Sequence, residues 1–262
     1  MKTIADYDLE IQQNPNDARL YYERGNAYYA IGEQDKAIGD FTKTIQLKPD
    51  VAAGYHCRSI AYYNKGEDDK AISDLDMAIQ LKPADADYCY LRGFIFLTGK
   101  NDIDRAITDF DQTIKIKPDH AVAYHKRGIA YSSKEEYDKA IADFDQVIRL
   151  TPANEKAYLD RGSAYHRKGE KNLAINDCDQ AIRIDPNCAM AYYQRARTYG
   201  NTEQAIKDFE TALRLGLPNE IIENAKKLLE VTRNIVLAAD ELRKGQPELI
   251  KAVETIQKVT GN

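Results

Sequence analysis

Along this chain, bulky, small and bulky apolar positions recur in one order six times, each copy carrying two stretches of helical spacing separated by a short polar break. The first copy reads YYERGNAYYAIGEQDKAIGDFTKTIQLKP, from Tyr21 to Pro49, and the fourth reads YHKRGIAYSSKEEYDKAIADFDQVIRLTP, from Tyr124 to Pro152. On one register the copies start at Ala18, Ala52, Ala86, Ala121, Glu155 and Ala189, a period of 34 residues. The third holds one extra residue near positions 100–103, and the sixth lacks three after Tyr199.

Position four is Tyr21, Tyr55, Cys89, Tyr124, Tyr158 or Tyr192, and position eleven is Tyr28, Tyr62, Phe96, Tyr131, Tyr165 or Tyr199. Between them, position eight is small: Gly25, Ser59, Gly93, Gly128, Gly162 or Ala196. These three positions share one face of a first helix. In the second helix, position twenty is always alanine (Ala37, Ala71, Ala106, Ala140, Ala174, Ala205), followed four residues later by Phe41, Leu75, Phe110, Phe144, Cys178 or Phe209. Two helices approach closely where Gly meets Ala, and the large side chains fill the space on either side. Pro49, Pro83, Pro118, Pro152 and Pro186 stop the second helices.

From Ala18 to about Leu217 this pattern resembles the tetratricopeptide repeat family. The departures are Cys89 and Cys178 in place of larger residues, Ser59 and Ala196 in place of glycine, and Pro218 one place late. The resemblance implies an all-α fold, a right-handed α-solenoid of helix-turn-helix tetratricopeptide repeats, whose concave face is lined by the first helices. It also implies ligand contacts at positions two, five, nine and twelve. Mapped onto this chain, the expected peptide-binding residues are Tyr22, Asn26, Tyr29, His56, Tyr63, Tyr90, Phe94, His125, Lys156, His166, Tyr193 and Arg197. At position nine, Ile60, Phe94 and Ile129 also suit a place in the core between neighbouring first helices. Related repeats that clamp a C-terminal carboxylate use lysine at position five with asparagine at nine; here Asn26 is present but Tyr22 replaces the lysine, so that ligand class is not expected.

Three segments are expected: a half-repeat at 1–17, six repeats at 18–217 and capping helices at 218–262. Ile4 to Pro15 (IADYDLEIQQNP) matches a second helix such as IADFDQVIRLTP at Ile141 to Pro152, without its first helix. Ile4, Tyr7 and Ile11 would form an unpartnered edge, and weak homo-oligomerisation of a self-assembling scaffold through it is the alternative to peptide binding. From Asn219 to Lys244 the spacing of Ile221, Ala225, Leu228, Ile235, Ala239 and Leu242 predicts a long amphipathic helix. A final helix from Pro247 to about Val259 is expected to fold back through Leu249, Ile250, Val253 and Ile256.

Composition narrows the function classes. The chain has 262 residues and a formal charge of −5 with both signs interspersed, so no basic stripe points to nucleic acid. No apolar run approaches the roughly 20 residues of a membrane span, and none resembles a signal peptide, which favours a cytoplasmic protein without a membrane partner. Cys57, Cys89, Cys178 and Cys188 have neither zinc-ligand spacing nor the density of a disulfide framework. His56, Cys57 and Cys89 lack the paired spacing of a metal centre. No phosphate loop, nucleophile elbow or metalloprotease helix occurs, so no catalytic residue and no cofactor is expected and the chain reads as a non-catalytic scaffold. His120 sits at a repeat boundary and reads as a solvated turn residue. Arg24, Arg58, Arg92, Arg127, Arg161 and Arg195 recur at position seven, and Asp40, Asp74, Asp109, Asp143, Asp177 and Asp208 at position twenty-three. We read these arrays as mutual compensation rather than as a ladder for anionic ligands.

Overall fold

A computed structural model describes residues 2–245. The segment expected to form the final helix, Pro247 to about Val259, lies outside the described residues. Those residues form fourteen α-helices: α1 Ile4–Gln13, α2 Ala18–Ala30, α3 Gln34–Leu47, α4 Ala52–Asn64, α5 Asp68–Leu81, α6 Ala86–Thr98, α7 Ile103–Ile116, α8 Ala121–Ser133, α9 Tyr137–Leu150, α10 Glu155–Arg167, α11 Lys171–Ile184, α12 Ala189–Tyr199, α13 Glu203–Leu215 and α14 Asn219–Gly245. They fall into two compact units, residues 1–136 with α1 to α8 and residues 137–262 with α9 to α14.

Every first helix starts at the residue the apolar register assigns, because a cap and the first apolar position coincide there. Asp17, Asp85 and Asn154 accept hydrogen bonds from backbone N–H groups of the first turns of α2, α6 and α10. Thr3 and Asp6 form a reciprocal capping box on α1. The turn from first to second helix needs a left-handed residue, supplied by Gly32, Gly66 and Gly169 at φ +81°, +75° and +82°. Asn101 (φ 51°) and Glu135 (φ 60°) take that conformation in the third and fourth repeats without being glycine. The three residues missing from the sixth repeat come out of both helices: α12 has 11 residues against 13 in α2, and α13 has 13 against 14 in α3.

The close approach expected at position eight is present. A Cβ on Gly25 would lie 2.7 Å from the Phe41 ring, and one on Gly93 would lie 2.9 Å from Asp109 Cβ. Phe41, Leu75 and Phe110 in the first unit, and Cys178 and Phe209 in the second, are buried beside the invariant alanines. Cys178 therefore fills a core position, and burial pushes its thiol up to about 12, which leaves it unreactive. At the end of the second unit, Ala225 and Leu229 of α14 close over Tyr193 and Phe209 with Leu217. Farther along α14, Val231, Ile235, Leu237 and Leu242 are exposed.

The arginine and aspartate arrays form clamps. Arg24 donates from Nε and NH2 to both oxygens of Asp40, at 2.8 and 2.7 Å, and Arg58–Asp74, Arg92–Asp109, Arg161–Asp177 and Arg195–Asp208 repeat that geometry. A second contact comes from the preceding second helix. NH1 reaches Asp8, Asp76, Asp111, Asp145 and Asp179 from Arg24, Arg92, Arg127, Arg161 and Arg195, but in the second repeat Arg58 finds the Thr42 hydroxyl instead, at 2.9 Å. Each guanidinium thus ties a first helix to the second helices on both sides of it. The hydrogen bond to Asp40, opposed by burial, holds Arg24 above the ordinary arginine range.

Candidate ligand-binding face

In the first unit the first helices bring an aromatic strip together. Tyr63 of α4 meets the Phe94 ring of α6 edge-on with centroids 5.8 Å apart, and Tyr90 lies nearly parallel to Phe94 one turn away, at 6.3 Å. On its other side Tyr90 faces His120 at 5.1 Å. Lys126 of α8 places its ammonium 5.2 Å from the centre of the Phe94 ring, a cation–π distance. All of these side chains are half-buried, so each keeps a wet edge. His125 stands on the same helix as Lys126 and is also half-buried.

Toward the start of the unit the expected residues are drawn into hydrogen bonds between repeats. The Tyr22 hydroxyl accepts from Cys57 Sγ at 3.4 Å, and burial together with that contact pushes it up to about 12. The Tyr29 hydroxyl accepts from Asn64 Nδ2 at 2.9 Å, and Asn26 is half-buried between the two tyrosines on α2. His56 packs 4.9 Å from Tyr88, and burial lowers its pKa against the opposing fields of Asp85 and Asp87.

In the second unit the expected residues divide. Lys156 and Arg197 are exposed, while His166 is half-buried with Nδ1 at 3.1 Å from Thr198 Oγ1. Burial, then the charge of Arg197, lowers the pKa of His166. Tyr193 is a correction to the expected surface. It is 4% exposed, because α14 covers it and Asn224 Nδ2 donates to its hydroxyl at 2.9 Å. His120 is a second correction: its Nδ1 accepts from Ala123 N at 3.1 Å and caps α8, while the ring stacks on Tyr90, so it is more than a solvated turn residue. Ile60 and Ile129 are half-buried, between the core and surface readings of position nine. Sequence reasoning missed Lys126, since position six lies outside the implied ligand-facing set.

The repeats match known families. A model described as tetratricopeptide repeat matches residues 18–51 and 155–188, and a second, described as TPR repeat, matches residues 130–169. The chain is built of tetratricopeptide repeats. Among solved structures it is similar to the C-terminal part of a TPR repeat-containing protein from Cytophaga hutchinsonii, at 20% identity and a TM-score of 0.72, over 85% of this chain and 92% of that one. It is similar to YrrB, described as a TPR protein with an unusual peptide-binding site, at 20% identity and a TM-score of 0.63, over 72% of this chain and 97% of that one. It is also similar to MamA at 26% identity and a TM-score of 0.62, over 66% of this chain and 93% of that one. No functionally curated protein matches the chain.

Among the described residues of this tetratricopeptide repeat chain, no group of three or more His, Cys, Asp or Glu is arranged to hold a metal ion. No described helix is long and apolar enough to cross a membrane. The arginines of the clamps spend their donors on aspartates, which removes the charge that a ladder for anionic ligands would need.

Proposed function

We propose that the chain is a non-catalytic interaction scaffold whose first-helix face in the first unit holds a segment of a partner protein as an extended or helical peptide. The observation that carries this reading is the half-buried strip Tyr63, Phe94, Tyr90 and His120, with Lys126 over its centre. Repeat packing is already supplied by Phe41, Leu75 and Phe110, so the strip is aromatic surface beyond what the core requires. Rings that keep one wet edge suit a ligand surface, since they bury large area at small entropic cost and still offer polar contacts. YrrB, similar in fold, is described as having a peptide-binding site, which supports the class of ligand and not the place.

The test is a proximity-independent capture from the source cell with the parent protein and with a Tyr90→Ala/His125→Ala variant, followed by affinity measurement for the captured partner. The double variant is expected to weaken binding by roughly 2 kcal/mol or more while helicity is retained. Unchanged affinity would exclude the strip as the site.

A further inference from the structure

A cavity of about 420 Å³ opens at the junction of the first and second repeats, away from the aromatic strip. Its apolar lining is Ala18, the Tyr22 ring, Val51 and Ala53, and its rim carries Arg19 and Lys48. Thr44 lines it too but is already engaged, its hydroxyl donating to Asp40 O at 3.0 Å. Asp17, also in the lining, is spent as the cap of α2, where its carboxylate accepts from Arg19 N at 2.9 Å. Neither Arg19 nor Lys48 has a side-chain ion-pair partner among the described residues. The equivalent opening two repeats on, of about 600 Å³, has mixed signs on its rim, with Lys82 and Lys117 beside Asp85 and Asp87.

Val51 breaks a local rule at this place. It is the N-cap of α4 and offers no side-chain hydrogen bond, whereas Asp17 and Asp85 cap the flanking α2 and α6. Replacing a polar cap by valine forgoes stabilisation of the helix start, and here it puts a 40% exposed apolar side chain at the cavity mouth. Apolar lining under a rim of two unpaired cations has one complement: an aliphatic side chain flanked by carboxylates.

We infer that this cavity is a binding pocket for an aliphatic residue with acidic neighbours inside a partner peptide. It rests on the proposed function only in taking a peptide as the occupant. The leucine-type side chain enters against Val51 and Ala53, and its acidic neighbours meet Arg19 and Lys48 on the rim.

The probe is the capped peptide acetyl-Glu-Leu-Glu-amide, titrated into nitrogen-15-labelled full chain. Saturable shifts of the Ala18, Val51 and Ala53 amides are expected, with acetyl-Gln-Leu-Gln-amide about tenfold weaker, as two exposed charge pairs allow. Val51→Asp supplies the missing cap, so this variant is expected to melt at higher temperature than the parent and yet lose the shifts. No saturable shifts at those amides, equal binding of the two peptides, or full binding by V51D would overturn the pocket. Tighter binding of acetyl-Gln-Leu with a free C-terminus would overturn the assignment to an internal acidic segment. Loss of the Tyr90 and His125 effect on the captured partner, with these shifts intact, would remove the aromatic strip and leave the pocket standing.

Discussion

Arg161 bonds both oxygens of Asp177 through Nε and NH2 and reaches Asp145 through NH1, so one side chain fixes α10 against α9 and α11. Asp177 is 1% exposed. Removing the guanidinium strands that carboxylate in the core, and Arg161→Ala is expected to cost about 3 kcal/mol in urea unfolding, since breaking one partner of a buried pair costs more than the pair contributes. Lysine at the same position is expected to recover only part of this, because a single ammonium cannot match the two parallel bonds. The pairing with Asp177 is legible in the sequence, where an aspartate stands at the same offset from every arginine. The second partner is not: Asp145 and its counterparts also recur, but one carboxylate per arginine already balanced the charge, and five N–H donors leave room for two. Tyr193 was misplaced for a different reason. Its position in the repeat is ligand-facing only where another repeat follows, and α14 follows instead.

Helix starts were readable because polar caps and the apolar register coincide at Ala18, Ala86 and Glu155. Turns were less so, since backbone conformation leaves no mark when the residue is not glycine. Glu135 turns the chain between α8 and α9 at φ 60°, where Gly32, Gly66 and Gly169 do so in other repeats. A side chain in that region is strained by roughly 1–2 kcal/mol, and glycine gives back part of this through the entropy of the unfolded chain. Glu135→Gly is therefore expected to raise stability by roughly 0.5–1 kcal/mol, seen as a higher urea midpoint with an unchanged slope. A lower midpoint would show that Glu135 contributes contacts worth more than its strain.

A repeat array must close or share its two ends. Ala225 and Leu229 of α14 cover the last repeat, but α1 at the other end buries none of its residues, and Leu9 is 58% exposed. Weak self-association through Ile4, Tyr7 and Ile11 is expected on that ground. Sedimentation over a wide concentration range should show a monomer–dimer equilibrium in the parent that Tyr7→Glu abolishes, and a strictly monomeric parent excludes it. Between the ends, five of the six inter-repeat contacts of the arginines are charged and one is not: Arg58 meets the Thr42 hydroxyl where the others meet aspartate. A hydrogen bond to a neutral hydroxyl holds less than one to a carboxylate. The seam between the first and second repeats is consequently the place where the array comes apart first under heat or tension, and amides of α3 and α4 exchange their hydrogens ahead of those on either side. The same seam carries the cavity between Lys48 and Val51, so whatever seats there acts as a rivet, and occupancy is reported as slowed exchange at the weakest joint of the chain.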